Sequence, residues 1–393
     1  MEKTGKKEVS FLGNYKESRR DTIFIAVAGI FTLITLAVPT GFTKSEDRLN
    51  VVRAKVLVTE VNNERVRTLG PVMNGEQQVE IRILSKRFRG QVHPALNYLR
   101  GKLDDDKMFL PGDIALAMIG LTDDGEITRI VMIDHYRIGK TIILGSLFIV
   151  FTIILMGWMG IKILITFIFS AAALIRILYP MILRGWDPII GALIITALIS
   201  ALILFLVGGL SRRALVAFLG ITGGLVFTSV LAFVFTRWFK LNGAVRPFTE
   251  TLIFSGFNRI NLVRLFIAGI FIAASGAMMD LAMDVAAAMD EIIKQQPALT
   301  RMGLMRSGYT VARQAAGTMS TTLLLAYSAE NTAMLMYFIS QGFSLDRVLN
   351  MVWVSAEVVH TLVGCFGLLL VAPLTVFAGG MLLTKGAVHP VDS

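Results

Sequence analysis

The chain has 393 residues, of which 54% are hydrophobic and only 17% charged, with a mean hydropathy of +0.67. Soluble domains are about a quarter charged, so this balance excludes a large soluble enzyme and indicates a polytopic membrane protein. The net charge of +10 fits basic loops held at anionic headgroups of membrane lipids; no basic segment interleaved with aromatics points to nucleic acid. The lone cysteine, Cys365, excludes an intrachain disulfide and a multi-cysteine metal site.

In chain order, Lys3, Lys6, Lys7, Lys16, Arg19 and Arg20 precede an apolar run from Thr22 to Val38, closed by Pro39 and Gly41. The run is short but sufficient for a membrane anchor. A cleaved signal peptide is the rival reading, and the long tail with its poor small-residue pattern favours an uncleaved anchor. Residues 1–41 are therefore expected to form a basic cytoplasmic tail and a first transmembrane helix.

Residues 42–137 are the only long polar segment. Period-two patterning recurs at 51–61, 77–84, 113–120 and 126–133, with turn signals at Asn74-Gly75, Arg89-Gly90, Pro111-Gly112 and Asp124-Gly125. Short alternating strands between glycine turns predict a small β domain, an OB-like barrel or a sandwich. Asp104, Asp105 and Asp106 lack the ligand spacing of a calcium loop and read as a solvated loop.

Residues 138–393 are expected to form a transmembrane helical bundle. Apolar runs fall near 141–160, 163–183, 188–209, 214–236, 265–289, 318–340 and 350–382, the last with Pro373 inside it. With the first run this predicts about eight transmembrane helices. Placing both termini in the cytoplasm puts about twice as many Lys and Arg in the inner short segments as in the outer ones. That orientation places the β domain outside. Arg237, Lys240, Arg246, Arg259 and Arg264 crowd one outer loop and count against it. Part of that loop, TETLIFSGFNRI, reads as a partly inserted amphipathic piece.

Polar residues concentrate in the last three spans. Asp280 and Asp284, four apart, share one helical face with Gly276 in a strongly apolar stretch. An ionised carboxylate in hydrocarbon costs about 2.5 kcal/mol or more, so both are expected to face the bundle interior. Met278, Met279 and Met283 flank them. Asp280, Asp284 and Met283 make a mixed carboxylate and thioether set of the kind that binds a transition metal, against the plainer reading that methionine fills core gaps. Trp353, Glu357, His360, Gly364 and Gly367 form a second stripe at helical spacing. Glu357 and His360, three apart, suit a proton relay or two metal ligands. Thr318, Ser320, Thr321 and Thr322 cluster at the entry to the intervening span, which ends at Glu330 and Asn331. Their hydroxyls can serve a broken helix or coordinate a solute. The preceding RMGLMRSGYTVARQAAG, with Arg306 and Arg313, reads as an amphipathic interfacial segment.

The segments GIFIAASGAMMDLAMDVAAAMDEI, SGYTVARQAAGTMSTTLLLAY and AEVVHTLVGCFGLLLVAPLT resemble the YibE/F-like family of bacterial multi-pass membrane proteins. The resemblance covers roughly residues 50–380 and is sharpest in the last third. It implies a permease or transporter with no defined substrate. It falls on Asp280, Gly317-Thr318, Thr322-Leu323 and Glu357, while His360 lies outside the pattern.

Enzyme signatures fail. Gly139-Lys140-Thr141 has Asp134 where a P-loop needs glycine, no histidine opens an HExxH site, and neither Ser255 nor Ser307 sits in GxSxG. The expectation is a bacterial inner-membrane secondary transporter or permease, without cofactor, for a cation or small solute. Its coupling or cation-binding candidates are Asp280, Asp284, Glu357, His360, Thr318, Thr321, Thr322 and Glu330. The alternative is a membrane scaffold or sensor whose β domain binds a ligand or partner, with assembly as a homo-oligomer or with another membrane protein.

Overall fold

A computed structural model of the chain describes residues 19–42 and 50–384. Lys3, Lys6, Lys7, Lys16 and Lys385, used in the charge count, lie outside the described residues. The chain divides into two compact units, one running up to Thr40 and again from Leu155 onward, the other Gly41–Ile154. The division falls inside a long helix, later than the expected boundary at 137.

The polar unit carries β1 (Val51–Asn62), β2 (Val66–Leu69), β3 (Val72–Ile83), β4 (Val92–Arg100), β5 (Ile114–Leu121) and β6 (Ile127–His135). The strand order is β1-β5-β6-β4-β3-β2, and β3 also pairs with β1. Five strands therefore close into a barrel, and β2 extends β3 as a hairpin. The barrel pairs are antiparallel except β4 with β6, which meet in parallel at Leu96 and Val131. Of the two expected architectures the structure takes the barrel, with the circuit of an OB-like Greek key.

Alternation fills its interior. Ala54, Val56 and Val58 of β1, Val79, Ile81 and Ile83 of β3, and Ala115, Ala117 and Ile119 of β5 are all buried. Each large one contributes about 1.5–3 kcal/mol relative to exposure. Strand β4 was not predicted. Its inward positions are Ala95, Asn97 and Leu99, so the apolar alternation is broken by an amide, and Pro94 further disguises the run. Short β2 also escaped the pattern, since its positions are mostly exposed.

Asn97 has a buried partner. The Gln77 side chain donates to the Asn63 side chain and the Phe109 carbonyl, each at 2.9 Å. Its Oε1 accepts from Asn97 Nδ2 and Phe109 N, each at 3.0 Å. Phe109, fully buried, is thereby pinned by both backbone groups as the plug of the barrel. The Asp104–Asp106 stretch is a turn: the Asp106 carboxylate accepts from the backbone N–H of Arg100 at 2.8 Å and Lys102 at 2.7 Å.

The helices are α1 (Arg19–Ala37), α2 (Ile138–Ala172), α3 (Tyr179–Leu183), α4 (Pro188–Gly208), α5 (Arg212–Trp238), α6 (Thr249–Phe254), α7 (Leu262–Gln295), α8 (Arg301–Glu330), α9 (Thr332–Ser340), α10 (Leu345–Asn350) and α11 (Val352–Leu382). Among the described residues, five are long and apolar enough to cross a membrane: the Ile138–Leu183 run, α4, α5, α7 and α11. The chain is a polytopic helical membrane protein.

Five rather than about eight has three local reasons. Runs 141–160 and 163–183 join into one helical stretch, interrupted only at Gly157 (φ 52°, ψ −126°). The apolar part of α1, Thr22–Ala37, is shorter. The expected 318–340 span is split at Asn331 into α8 and α9, and the RMGLMRSGYTVARQAAG segment is simply the first half of α8. In the loop after α5 only Thr249–Phe254 of the expected amphipathic piece is helical. Pro373 sits inside α11 without ending it.

Helix α7 packs on α4, α5, α8 and α11. Between lipid-bathed helices close approach replaces hydrophobic driving force. Gly220 and Gly224 of α5 lie against Thr375 and Val371 of α11, and Gly367 of α11 lies against Thr228 of α5. Methionines fill further glycine gaps. A Cβ on Gly208 would stand 2.9 Å from the Met283 methyl, and one on Gly308 or Gly379 would stand 2.7 Å from Met289 Sδ or its methyl. The starts of α4 and α7 are tied together: Asp187 caps α4 through Oδ1, and its Oδ2 pairs with Arg264.

Candidate functional site

The two acidic stripes do not meet. Gly364 of α11 faces Ala274 of α7, and Gly367 lies against Met278, so the two helices run in the same direction. His360 and Ile270 line one cavity. Asp280 lies roughly ten residues further along α7, about 15 Å at 1.5 Å per residue.

Nor does the α7 stripe face inward. Gly269, Ala273, Gly276, Asp280 and Asp284 form the exposed line of this otherwise buried helix. This corrects the expectation of an inward-facing acid pair. The inward positions are taken by Phe271, Met278, Leu281 and Val285, whose burial fixes the helix rotation and turns the acids out. Met283 turns to the gap at Gly208, packing rather than completing a ligand set with the acids. Among the described residues no three His, Cys, Asp or Glu side chains gather as a metal site.

The threonines are partnered within their own helix. Thr318 donates to Ala315 O, Thr321 to Gly317 O and Thr322 to Thr318 O, at 3.0–3.3 Å. All three are exposed. Helix α8 is continuous through them, and the break lies later, at Asn331.

The second stripe does build a site. Glu357 and His360, one turn apart on α11, have side chains only 15% and 6% exposed. A residue not predicted as part of the site joins them: Arg246, from the loop after α5. Its Nη2 lies 3.1 Å from Glu357 Oε2 and 2.8 Å from His360 Nδ1. Guanidinium is donor-only, so His360 Nδ1 accepts, and the ring carries its proton on Nε2. Nδ1 also lies 3.4 Å from Glu357 Oε1, a contact that becomes a hydrogen bond only when Nδ1 is protonated. The cluster can therefore exchange a proton by trading Arg246 for Glu357 as the partner of His360.

The loop reaches the cluster through local backbone chemistry. Gly243 (φ +79°) presses on the Leu262 and Val263 backbone at the start of α7, where a Cβ would collide. Phe248 takes a left-handed conformation (φ 62°), and Thr249 Oγ1 donates to Arg246 O at 2.6 Å. The signal available in sequence was the surplus of basic residues in this loop. Two of the five are ion-paired, Arg246 with Glu357 and Arg264 with Asp187, so they are not free topological charges.

A cavity of about 260 Å³ opens beside the cluster, lined by Arg246, Tyr327, Glu330 and His360 with Gly269 and Ala273 of α7. The Tyr327 ring lies 4.3 Å from the His360 ring, centroid to centroid. Its buried hydroxyl has no hydrogen-bond partner among the described residues. Glu357 faces a second cavity of about 300 Å³, lined also by Ser328 and Asn331. Of the predicted site residues, the structure thus gathers Glu357, His360 and Glu330, and leaves Asp280, Asp284, Thr318, Thr321 and Thr322 on exposed helix surface.

A family model described as YibE/F-like protein matches residues 144–385, which span this whole helical site. No curated protein matches the chain, and no solved structure does.

Proposed function

The chain belongs to the YibE/F-like family, and on that premise we propose that it is a secondary transporter or permease for a small solute or cation. Its coupling centre is Arg246, Glu357 and His360. The observation that carries this reading is the hydrogen-bonded Arg–Glu–His cluster on membrane-spanning α11, beside one cavity and facing another. Ionisable groups within a membrane mark solute or proton paths. The reading involves no enzymatic step and no cofactor.

The same proposal places the protein in the bacterial inner membrane, with both termini in the cytoplasm and the barrel outside. Arg184 donates to the Thr40 carbonyl at 2.9 Å. The end of α1 and the end of α3 therefore share one membrane face in this topology. In this reading the Ile138–Arg184 stretch crosses twice, divided at the Gly157 kink, and returns the chain to that face. The two halves, at 1.5 Å per residue, are each about 30 Å or longer. With α1 crossing and α8–α9 crossing as a broken pair, the count is eight.

The test is flux in proteoliposomes, screened against protons, sodium, divalent metals and small organic solutes. Glu357→Gln is expected to insert normally and to lose coupled flux by at least tenfold. Wild-type flux in that variant sinks the proposal.

A second reading, a membrane scaffold, is favoured by one observation: the exposed line through Asp280 and Asp284 on α7. Carboxylates at that depth call for cover by another copy, a partner membrane protein or water. In this reading Asp280→Asn with Asp284→Asn alters oligomer size in native mass spectrometry and leaves flux unchanged.

A further inference from the structure

We infer that the cavity beside Arg246 binds a small zwitterion, a solute carrying one carboxylate and one ammonium group. This deepens the transport reading and rests on it for the site's use, though not for the binding itself. The walls carry chemistry of two kinds. On one side are donors. Arg246 spends Nη2 on Glu357 and His360, and among the described residues its other nitrogens make no hydrogen bond. His360 is 5% exposed, and with Nδ1 accepting, its Nε2–H is a donor without a partner among those residues. Tyr327, 5% exposed, walls the cavity beside the His360 ring, and its hydroxyl is buried behind that wall, apart from these donors. On the other side is a carboxylate. Glu330 lies one helical turn beyond Tyr327 on α8, lines the same cavity, and makes no ion pair among the described residues.

Neither a simple cation nor a simple anion uses both sets. A cation satisfies Glu330 and leaves the buried histidine Nε2–H and the remaining arginine N–H groups without a ligand acceptor. An anion satisfies the donors and is repelled by Glu330. A carboxylate on the donors with an ammonium on Glu330 serves both, and a hydrogen bond between two ionised groups is the strong form of such a bond. Size agrees. A volume of about 260 Å³ lies below the ~300–1,000 Å³ of pockets for drug-sized ligands. Gly269 and Ala273 put almost no side chain on the α7 wall and so leave space for a side group.

Calorimetric titration of the full-length protein in lipid nanodiscs tests the inference, with glycine, L-alanine, L-serine and β-alanine as probes. Propionate and ethylamine, each lacking one charged group of alanine, are the controls. At least one zwitterion is expected to bind at least tenfold more tightly than both controls. Arg246→Gln and Glu330→Gln should each weaken it tenfold or more. Glu330 is exposed at a helix end, so its variant keeps the test open if Arg246→Gln does not fold. No binding by any of the four probes overturns the inference, as does equal binding of a control or unchanged affinity in Glu330→Gln. Uptake of the bound probe into proteoliposomes separates the two claims. Binding without any flux overturns the transport reading alone, and flux of another solute without zwitterion binding overturns the inference alone.

Discussion

The barrel and the helical bundle each bury polar groups, and they treat them in opposite ways. In the barrel, both polar functions of Gln77 are used: two bonds hold Phe109 in the loop before β5, and two tie in Asn63 and Asn97. In the bundle, the hydroxyls of Thr196, Thr236, Tyr327 and Thr375 are buried without partners among the described residues, and the Arg246–Glu357–His360 cluster borders a cavity. A saturated network specifies a shape. An unsaturated one beside open space keeps bonding capacity for something not yet there.

The largest effect that can break this contrast is in the barrel. Gln77→Leu strands Phe109 N–H, its carbonyl and Asn97, and should lower barrel stability by about 3 kcal/mol, read as loss of hydrogen-exchange protection in β3 and β4. Flux should persist. Unchanged protection would show the network to be ornamental. Next is Arg246→Met, which takes from Glu357 its arginine partner. Arg246 is 37% exposed, so the loss should be about 2 kcal/mol, between surface and fully buried pairs. Arg246→Met with Glu357→Met should restore thermal stability in nanodiscs and still carry no flux. Recovery of both would make the cluster structural.

Smaller still is Tyr327→Phe. Removing an unpartnered hydroxyl should leave the melting temperature unchanged or raise it by the equivalent of up to about 1 kcal/mol, where a satisfied hydroxyl would cost stability. The mildest effect is in acid. Partial desolvation raises the Asp106 carboxyl, but the N–H groups of Arg100, Lys102 and Gly101 outweigh it and hold the group below its ordinary 3.8. For Asp134 desolvation is likewise outweighed, by Arg137, the His135 N–H and Lys107. Depressed values mean stability that is complete above about pH 4 and is lost as pH falls through the folded values. Barrel protection should be flat from pH 5 to 8 and decline below 4. Asp134→Asn should blunt that decline, and a decline unaltered in this variant would remove Asp134 from the account.

What the sequence made legible follows physical range. The strands β1, β3, β5 and β6 were visible because each shows alternation within a single run. Strand β4 hid because one inward residue answers to Gln77, a partner distant in sequence. The Glu357–His360 pair was visible as a spacing on one helix. Arg246 was not, since its role depends on a glycine turn and a left-handed phenylalanine that fold its loop onto α7. The acids at 280 and 284 were seen as a shared face, but which way that face points is set by the four helices packed around α7. Periodicity gives a face and leaves its direction open.

The methionine-filled glycine gaps bear on motion. Met289 of α7 touches both Gly308 of α8 and Gly379 of α11, and Met278 lies against Gly367. A thioether chain is unbranched and turns through several rotamers at little cost. Seated in a glycine notch, it can follow a sliding neighbour without opening a void, as a branched side chain locked at χ1 could not. These contacts are greased bearings. The transport proposal requires α7 to rock against α8 and α11 while remaining packed, the freedom that alternating exposure of a site to two sides of a membrane demands.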